Sequence, residues 1–194
     1  MHFIHVAGTN GKGSVCTALS CILSDSGYKT GLFTSPFVVD FRERFRINGE
    51  YISEEDFARI CTRIRPIAEK NAESGLQPTE FEVLTAAAFE YFLEKKCDVV
   101  VLETGLGGLL DSTNIIDTPD VSVITSVSFD HMKVLGSTIE QIAQQKAGII
   151  KKNGRTVTGA DQDKKAMNVI REKAAGVNSE LYISDPGEIT VLSK

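Results

Sequence analysis

The run Gly8-Thr9-Asn10-Gly11-Lys12-Gly13-Ser14 constrains this chain more than any other segment. It follows a short apolar run with β-branched residues at positions 3–7 and precedes an apolar-periodic stretch through Leu19, Ile22 and Leu23. The predicted order is therefore strand, glycine loop, helix. Glycines let the backbone curl until several N–H groups point inward, the helix terminus adds partial positive charge, and Lys12 extends a cation into the same space. Such a loop suits a polyphosphate, with Asn10, Gly11, Lys12, Gly13 and Ser14 as its contacts. The spacing departs from the commonest phosphate loop. Two residues, not four, separate Gly8 from Gly11-Lys12, and Gly13 stands between Lys12 and Ser14. The plain alternative is a glycine turn beside a solvated lysine.

The rest of the chain continues the alternation of strand and helix. Residues 29–33 read as a second strand ending at Thr34-Ser35-Pro36, and residues 37–52, with an Asn48-Gly49 turn, as an excursion or hairpin beyond the sheet. Ser53 with Asp56, and Thr79 with Glu82, are capping-box signatures ahead of helical apolar spacing. Pro66 is expected to bend or shorten the first of these helices. Residues 98–103 and 121–125 are the brief apolar runs of central parallel strands covered on both faces. A helix from Thr138 toward Gly148 and a strand, helix and strand over residues 155–183 complete the pattern. The fold class is α/β, a mainly parallel sheet flanked by helices.

Composition narrows the partners. At 194 residues, 42% hydrophobic and 24% charged, the chain suits one ordinary domain with a core. A net charge of −5 and the lack of a dense basic block argue against nucleic acid. No apolar run approaches the ~20 residues of a membrane span. Four cysteines without metal-ligand spacing, and a start without signal-peptide build, lead to an expected cytoplasmic location with reduced thiols.

A nucleoside triphosphate brings Mg²⁺, which favours hydroxyl and carboxylate oxygens. Candidates belong at strand ends beside the loop, where open α/β sheets bind ligands. Glu103 closes a buried strand, Ser35 ends the second strand, and Asp130-His131 follows the strand at 121–125. Taken singly, Glu103 reads equally as a helix cap and His131 as an ordinary loop residue.

Taken together, these motifs resemble the folylpolyglutamate synthase and dihydrofolate synthase family, ATP-dependent amide ligases related to the Mur ligases. The resemblance rests on the glycine loop, on Thr34-Ser35-Pro36-Phe37 with Glu43-Arg44, and on Glu103-Thr104-Gly105-Leu106-Gly107-Gly108-Leu109-Leu110-Asp111-Ser112-Thr113-Asn114. It extends through Asp130-His131 with Leu135-Gly136 and Thr138 to Lys146-Ala147-Gly148-Ile149-Ile150-Lys151. It covers about residues 5–152, and implies a P-loop NTPase-like Mur ligase central domain.

The implied reaction phosphorylates a carboxylate of dihydropteroate or folate with ATP, and glutamate then displaces phosphate to form an amide. The resemblance further implies Ser35, Glu103 and His131 as Mg²⁺ positions, with Lys12 and His131 catalytic. It makes Lys146 a lysine carrying a carbamate, where spacing alone favours a solvated lysine near a helix C-terminus. It places Phe37, Thr79, Glu80, Phe81, Glu82, Leu110, Asp111 and Ser112 at the pteroate. For Phe81, core packing is a rival reading, since phenylalanines at helical spacing usually pack. Relatives are about twice as long, so the chain is expected to be a truncated central domain, inactive alone, without the C-terminal glutamate-binding domain, from a monomeric parent. Asp185-Pro186-Gly187 is expected to be an interior turn of that parent. The rival readings are another Mur-type ligase, such as one acting on a cell-wall precursor, and a non-catalytic nucleotide-binding module.

Overall fold

A computed structural model of the chain describes residues 1–185 and 187. In chain order the elements are β1 (His2–Ala7), α1 (Lys12–Asp25), β2 (Thr30–Phe33), β3 (Phe45–Ile47), β4 (Glu50–Tyr51), α2 (Glu54–Glu73) and α3 (Glu80–Glu94). They continue with β5 (Val99–Glu103), β6 (Val121–Ile124), α4 (Met132–Leu135), α5 (Ile139–Ala147), β7 (Arg155–Gly159), α6 (Lys164–Gly176) and β8 (Glu180–Ser184). Single 3-10 turns lie at Phe41–Arg44 and Ser112–Ile115. One sheet runs β4-β3-β2-β5-β1-β6-β7-β8. It is parallel except for β3 and β4 at one edge, as the sequence predicts. No helix among the described residues is long and apolar enough to cross a membrane.

Strand alternation divides the core. Ile4 and Val6 of β1, Leu32, Val101 and Val123 face α1, packing with Cys16 and Leu19. On the other face, Phe3, Val100, Leu102 and Phe33 pack against α2 and α3, while Ala7 and Ile124 pack against α5 and α6. All five residues of β5 are buried, as expected of a central parallel strand with helices on both sides.

Three local details differ from the sequence reading. The hairpin of residues 45–51 does not lie beyond the sheet: β3 pairs antiparallel with β2 through Leu32 and Arg46, and Asn48 and Gly49 make its turn with φ of 48° and 85°. Pro66 does not shorten α2, which runs on to Glu73. Thr62, whose carbonyl loses a partner to the proline, is exposed and meets water instead. Ser53 caps α2 through the N–H of Asp56 at 3.0 Å, but the box is one-sided, because the Asp56 carboxylate is taken by Arg59 and Lys95. The Thr79–Glu82 box of α3 is reciprocal. Of the turn expected at residues 185–187, Pro186 lies outside the described residues.

The seam between β2 and α3 is tight. A Cβ on Gly31 would sit 2.8 Å from the ring of Phe92, which is fully buried and has no room to yield. Gly31→Ala is expected to lower stability by about 1–3 kcal/mol through overpacking, read as a lower urea midpoint with an unchanged slope. A midpoint equal to that of the wild type would show that α3 can shift.

Candidate active site

Because the strands are parallel, the C-terminal ends of β1, β2, β5 and β6 gather at one edge. The glycine loop leaves β1 there and is tied down by the segment after β6. Thr9 N–H donates to the Ser126 carbonyl at 2.6 Å, and the Thr125 hydroxyl donates to the Asn10 carbonyl at 2.8 Å. Gly8 is obligatory at this approach, since a Cβ would fall 1.7 Å from the Thr125 hydroxyl. Gly11, with φ of 81°, begins α1 without a side-chain cap. Among the described residues no acceptor meets the N–H groups of Lys12, Gly13 and Ser14, so the loop presents a row of donors at a helix N-terminus.

Glu103 closes β5 beside that row. It is 4% exposed, its Oε2 accepts the Ser35 N–H at 3.1 Å, and Gly13 approaches so closely that a Cβ there would be 3.6 Å from Oε2. Burial pushes its carboxyl above the usual carboxylate range, opposed by the Ser35 N–H and the Lys12 ammonium. Ser35, Glu103, Lys12 and Gly13 are thus brought together. A buried, weakly satisfied carboxylate next to a serine is the hard oxygen set that Mg²⁺ accepts. His131 begins α4 with φ of 44°; its side chain is 59% exposed and lies 3.6 Å from Asp130. No hydrogen bond or ion pair among the described residues joins it to Ser35 or Glu103.

Lys146, in the last turn of α5, is 2% exposed. Its amine is pushed down to about 8, chiefly by burial and next by the Lys12 ammonium, with Asp130 opposing. The solvated-lysine alternative is therefore excluded by its burial. The loop after β5 packs backbone to backbone on the same helix end: Leu109 N–H donates to the Gln145 carbonyl at 2.7 Å, and a Cβ on Gly148 would meet Leu109 Cα at 2.3 Å.

A cavity of about 540 Å³ opens between these elements. Ser35 lines it, as do Thr79, Phe81, Glu82, Leu110, Asp111 and Ser112, while Phe37 and Glu80 are not among its lining residues. Phe81 satisfies both readings offered for it, lining the cavity and stacking on Phe33 at 5.8 Å with its ring against Gly105. The Thr79 and Ser112 hydroxyls are engaged, with Glu82 and Thr85 respectively, each at 2.8 Å. Phe37 packs on Phe41, against the guanidinium of Arg44. Arg44 also lines the cavity; the sequence marks it only as part of the Glu43-Arg44 motif, within a stretch read as a hairpin, and gives it no role at the site.

His5 was also missed. It is fully buried on β1, and its Nε2 lies 2.8 Å from the Thr113 hydroxyl, which donates in turn to Asp111. Asp111 accepts the Leu106 N–H at 2.8 Å through its other oxygen. A histidine inside an otherwise apolar strand was the available signal.

A family model described as the Mur ligase middle domain matches residues 6–185. The chain is 49% identical over 173 residues to the dihydrofolate synthase/folylpolyglutamate synthase of Bacillus subtilis (strain 168), covering 88% of this chain and 40% of that protein. It is 42% identical over 185 residues to the mitochondrial folylpolyglutamate synthase of Homo sapiens, covering 94% and 31% respectively. Among solved structures, an FPGS–AMPPCP–folate complex is similar with a TM-score of 0.89 and 43% identity, over 94% of this chain and 44% of that one. The chain spans less than half the length of these relatives.

The low basicity of Lys146 has a thermodynamic signature. From about pH 8 up to 10.5 the unfolded chain holds a proton that the folded chain has shed, so this group makes stability rise with pH across that window. The unfolding midpoint of the wild type is expected to gain on that of Lys146→Met as the pH is raised through the same window. A constant gap between the two would place the amine in water.

Proposed function

The chain belongs to the Mur ligase family, whose middle domain it carries over residues 6–185, and on that premise we propose that it is the ATP-binding domain of a ligase joining glutamate to dihydropteroate or folate. The single observation that carries the reading is the convergence of an unfilled row of N–H donors, Lys12 and the buried Glu103 beside a cavity lined by Phe81. A flat apolar ring suits Phe81, and a carboxylate at the Ser35 end of the cavity would face the nucleotide. The names of the relatives, and the solved complex with a nucleotide analogue and folate, agree with it.

In the proposed reaction an oxygen of the acid attacks the γ-phosphorus of ATP, ADP leaves, and an acyl phosphate forms. The glutamate amine then attacks the acyl carbon and phosphate leaves. Charge gathers on the transferring phosphoryl group, so catalysis is largely placement and neutralisation. The N–H groups of Gly11, Lys12, Gly13 and Ser14 bind phosphate oxygens, with Asn10 shaping the turn, and the Lys12 ammonium sits at the terminal phosphates. Ser35 and Glu103 would hold Mg²⁺, with His131 the third candidate. When bound, the ion supplies further neutralisation of phosphoryl charge. Thr79, Glu82, Leu110, Asp111 and Ser112 shape the acid pocket, while Glu80 and Phe37 stand outside its lining.

Nucleotide titration in the presence of Mg²⁺ tests the loop. Lys12→Ala is expected to weaken binding by about tenfold or more, the scale of a charge-assisted contact. Equal affinities would remove the loop from the site. Dihydropteroate, but not a nucleotide-sugar peptide, is expected to bind the cavity, and the reverse preference would favour a cell-wall ligase.

Lys146 is proposed to carry a carbamate: the neutral amine adds to CO₂ and releases a proton, turning a buried cation into an anion. With ¹³C-bicarbonate, a carbamate carbon resonance is expected in the wild type and not in Lys146→Arg. A resonance in both proteins would assign it to another amine.

A further inference from the structure

The charge inventory of the cavity is unbalanced. Three ionisable side chains line it: Arg44, Glu82 and Asp111. Glu82 is spent on the N–H and hydroxyl of Thr79 at the start of α3. Asp111 is spent on the Leu106 and Thr113 N–H groups and the Thr113 hydroxyl. Arg44 is the one cation of the lining, and no carboxylate lies within ion-pair distance of it among the described residues. Its Nε–H is buried without an acceptor, which is costly for a charged donor unless a ligand supplies the oxygen.

The guanidinium is also held in place. It lies over the rings of Phe37 at 5.4 Å and Phe41 at 5.6 Å. Its backbone carbonyl accepts the Thr34 N–H at 3.2 Å, which sets Arg44 alongside the tip of β2 that carries Ser35. The neighbouring acid, Glu43, is unavailable as a partner, because its carboxylate accepts the N–H groups of Val38, Val39 and Asp40. A planar cation resting against two rings, with an unmet donor, is preorganised for an oxyanion that can take two parallel hydrogen bonds.

The geometry points to Arg44 as the residue that binds a second, non-reacting carboxylate of the acid substrate. This deepens the proposed function and rests on its reading of the cavity as the acid pocket. The triphosphate is the wrong source, since Asn10, Lys12 and Gly13 are not among the lining residues of this cavity. The reacting carboxylate is also the wrong source, because a bidentate clamp would tie up the lone pairs it needs for attack on phosphorus. Folate carries two carboxylates on its glutamate, so one remains when the other reacts. Pteroate carries one.

The test is a cycle between protein and ligand, measured as equilibrium binding to the chain in Mg²⁺ and a nucleotide analogue. The ligands are folate and its two monoamides, each with one carboxylate neutralised. The wild type is expected to bind one monoamide about 10- to 100-fold more weakly than folate, the range of a charge-assisted pair. Arg44→Gln is expected to compress that ratio to about threefold or less, with Arg44→Lys in between. A wild type that does not distinguish the monoamides overturns the assignment without any variant, as does an Arg44→Gln ratio equal to that of the wild type. Loss of affinity for the nucleotide analogue alone in Arg44→Gln would move Arg44 to the phosphate and overturn it too. A wild type that binds neither folate nor pteroate would instead bring down the substrate reading on which the assignment rests.

Discussion

A buried carboxylate at the tip of a central strand organises this molecule. Glu103 ends β5, the strand with every residue covered, and its charge must be met by whatever stands at the same sheet edge. What meets it comes from elsewhere in the chain: the Ser35 N–H beyond β2, and Lys12 at the start of α1. Satisfying Glu103 therefore fixes the tips of two strands and the mouth of the glycine loop relative to one another. The raised carboxyl basicity shows that these partners only partly offset burial. The residual demand for positive charge is what makes the position suited to a cation beside phosphate.

The loop that follows Glu103 is held with equal economy. The Thr113 hydroxyl has one hydrogen and donates it to Asp111, so it must accept from His5, which assigns the proton of the imidazole to Nε2. Nδ1 is then a bare acceptor, buried without a partner. Burial, and then Lys151, push the basicity of His5 down to about 3. The ring stays neutral through ordinary pH, and the bridge from β1 to Asp111 and on to the Leu106 N–H keeps one arrangement. A wall of the cavity is thereby pinned to the same strand that launches the glycine loop.

The legible parts of this fold were those decided by local chemistry. Glycine spacing announced the turn from β1 into α1, the Thr79 cap marked the start of α3, and the apolar runs marked β5 and β6. Outcomes decided by distant partners were not legible. Whether Asp56 closes its capping box depends on Arg59 and on Lys95, the residue just after α3. Whether Pro66 ends α2 depends on the exposure of Thr62. The same holds for the site. Lys12 and Glu103 stand out in the sequence by type and place, whereas Arg44 gains its meaning only once Glu43 is seen to be occupied and two phenylalanines are seen to frame it.

Lys12 and Lys146 pose an electrostatic problem whose resolution bears on what the site can bind. Two ammonium groups approach at the same sheet edge, one of them buried, and Asp130 offsets them only in part. An amine with its basicity lowered to about 8 is neutral far more often at neutral pH than an ordinary lysine. Two chemistries relieve such a pair: an incoming polyanion that gathers both charges, or conversion of the neutral amine into an anion. The first lowers the cost of the folded state only when nucleotide is present, and the second lowers it throughout. Because the neutral fraction follows from burial rather than from any hydrogen bond, the packing of Leu109 onto Gly148 and the end of α5 sets the chemistry of Lys146 as much as its charged neighbours do.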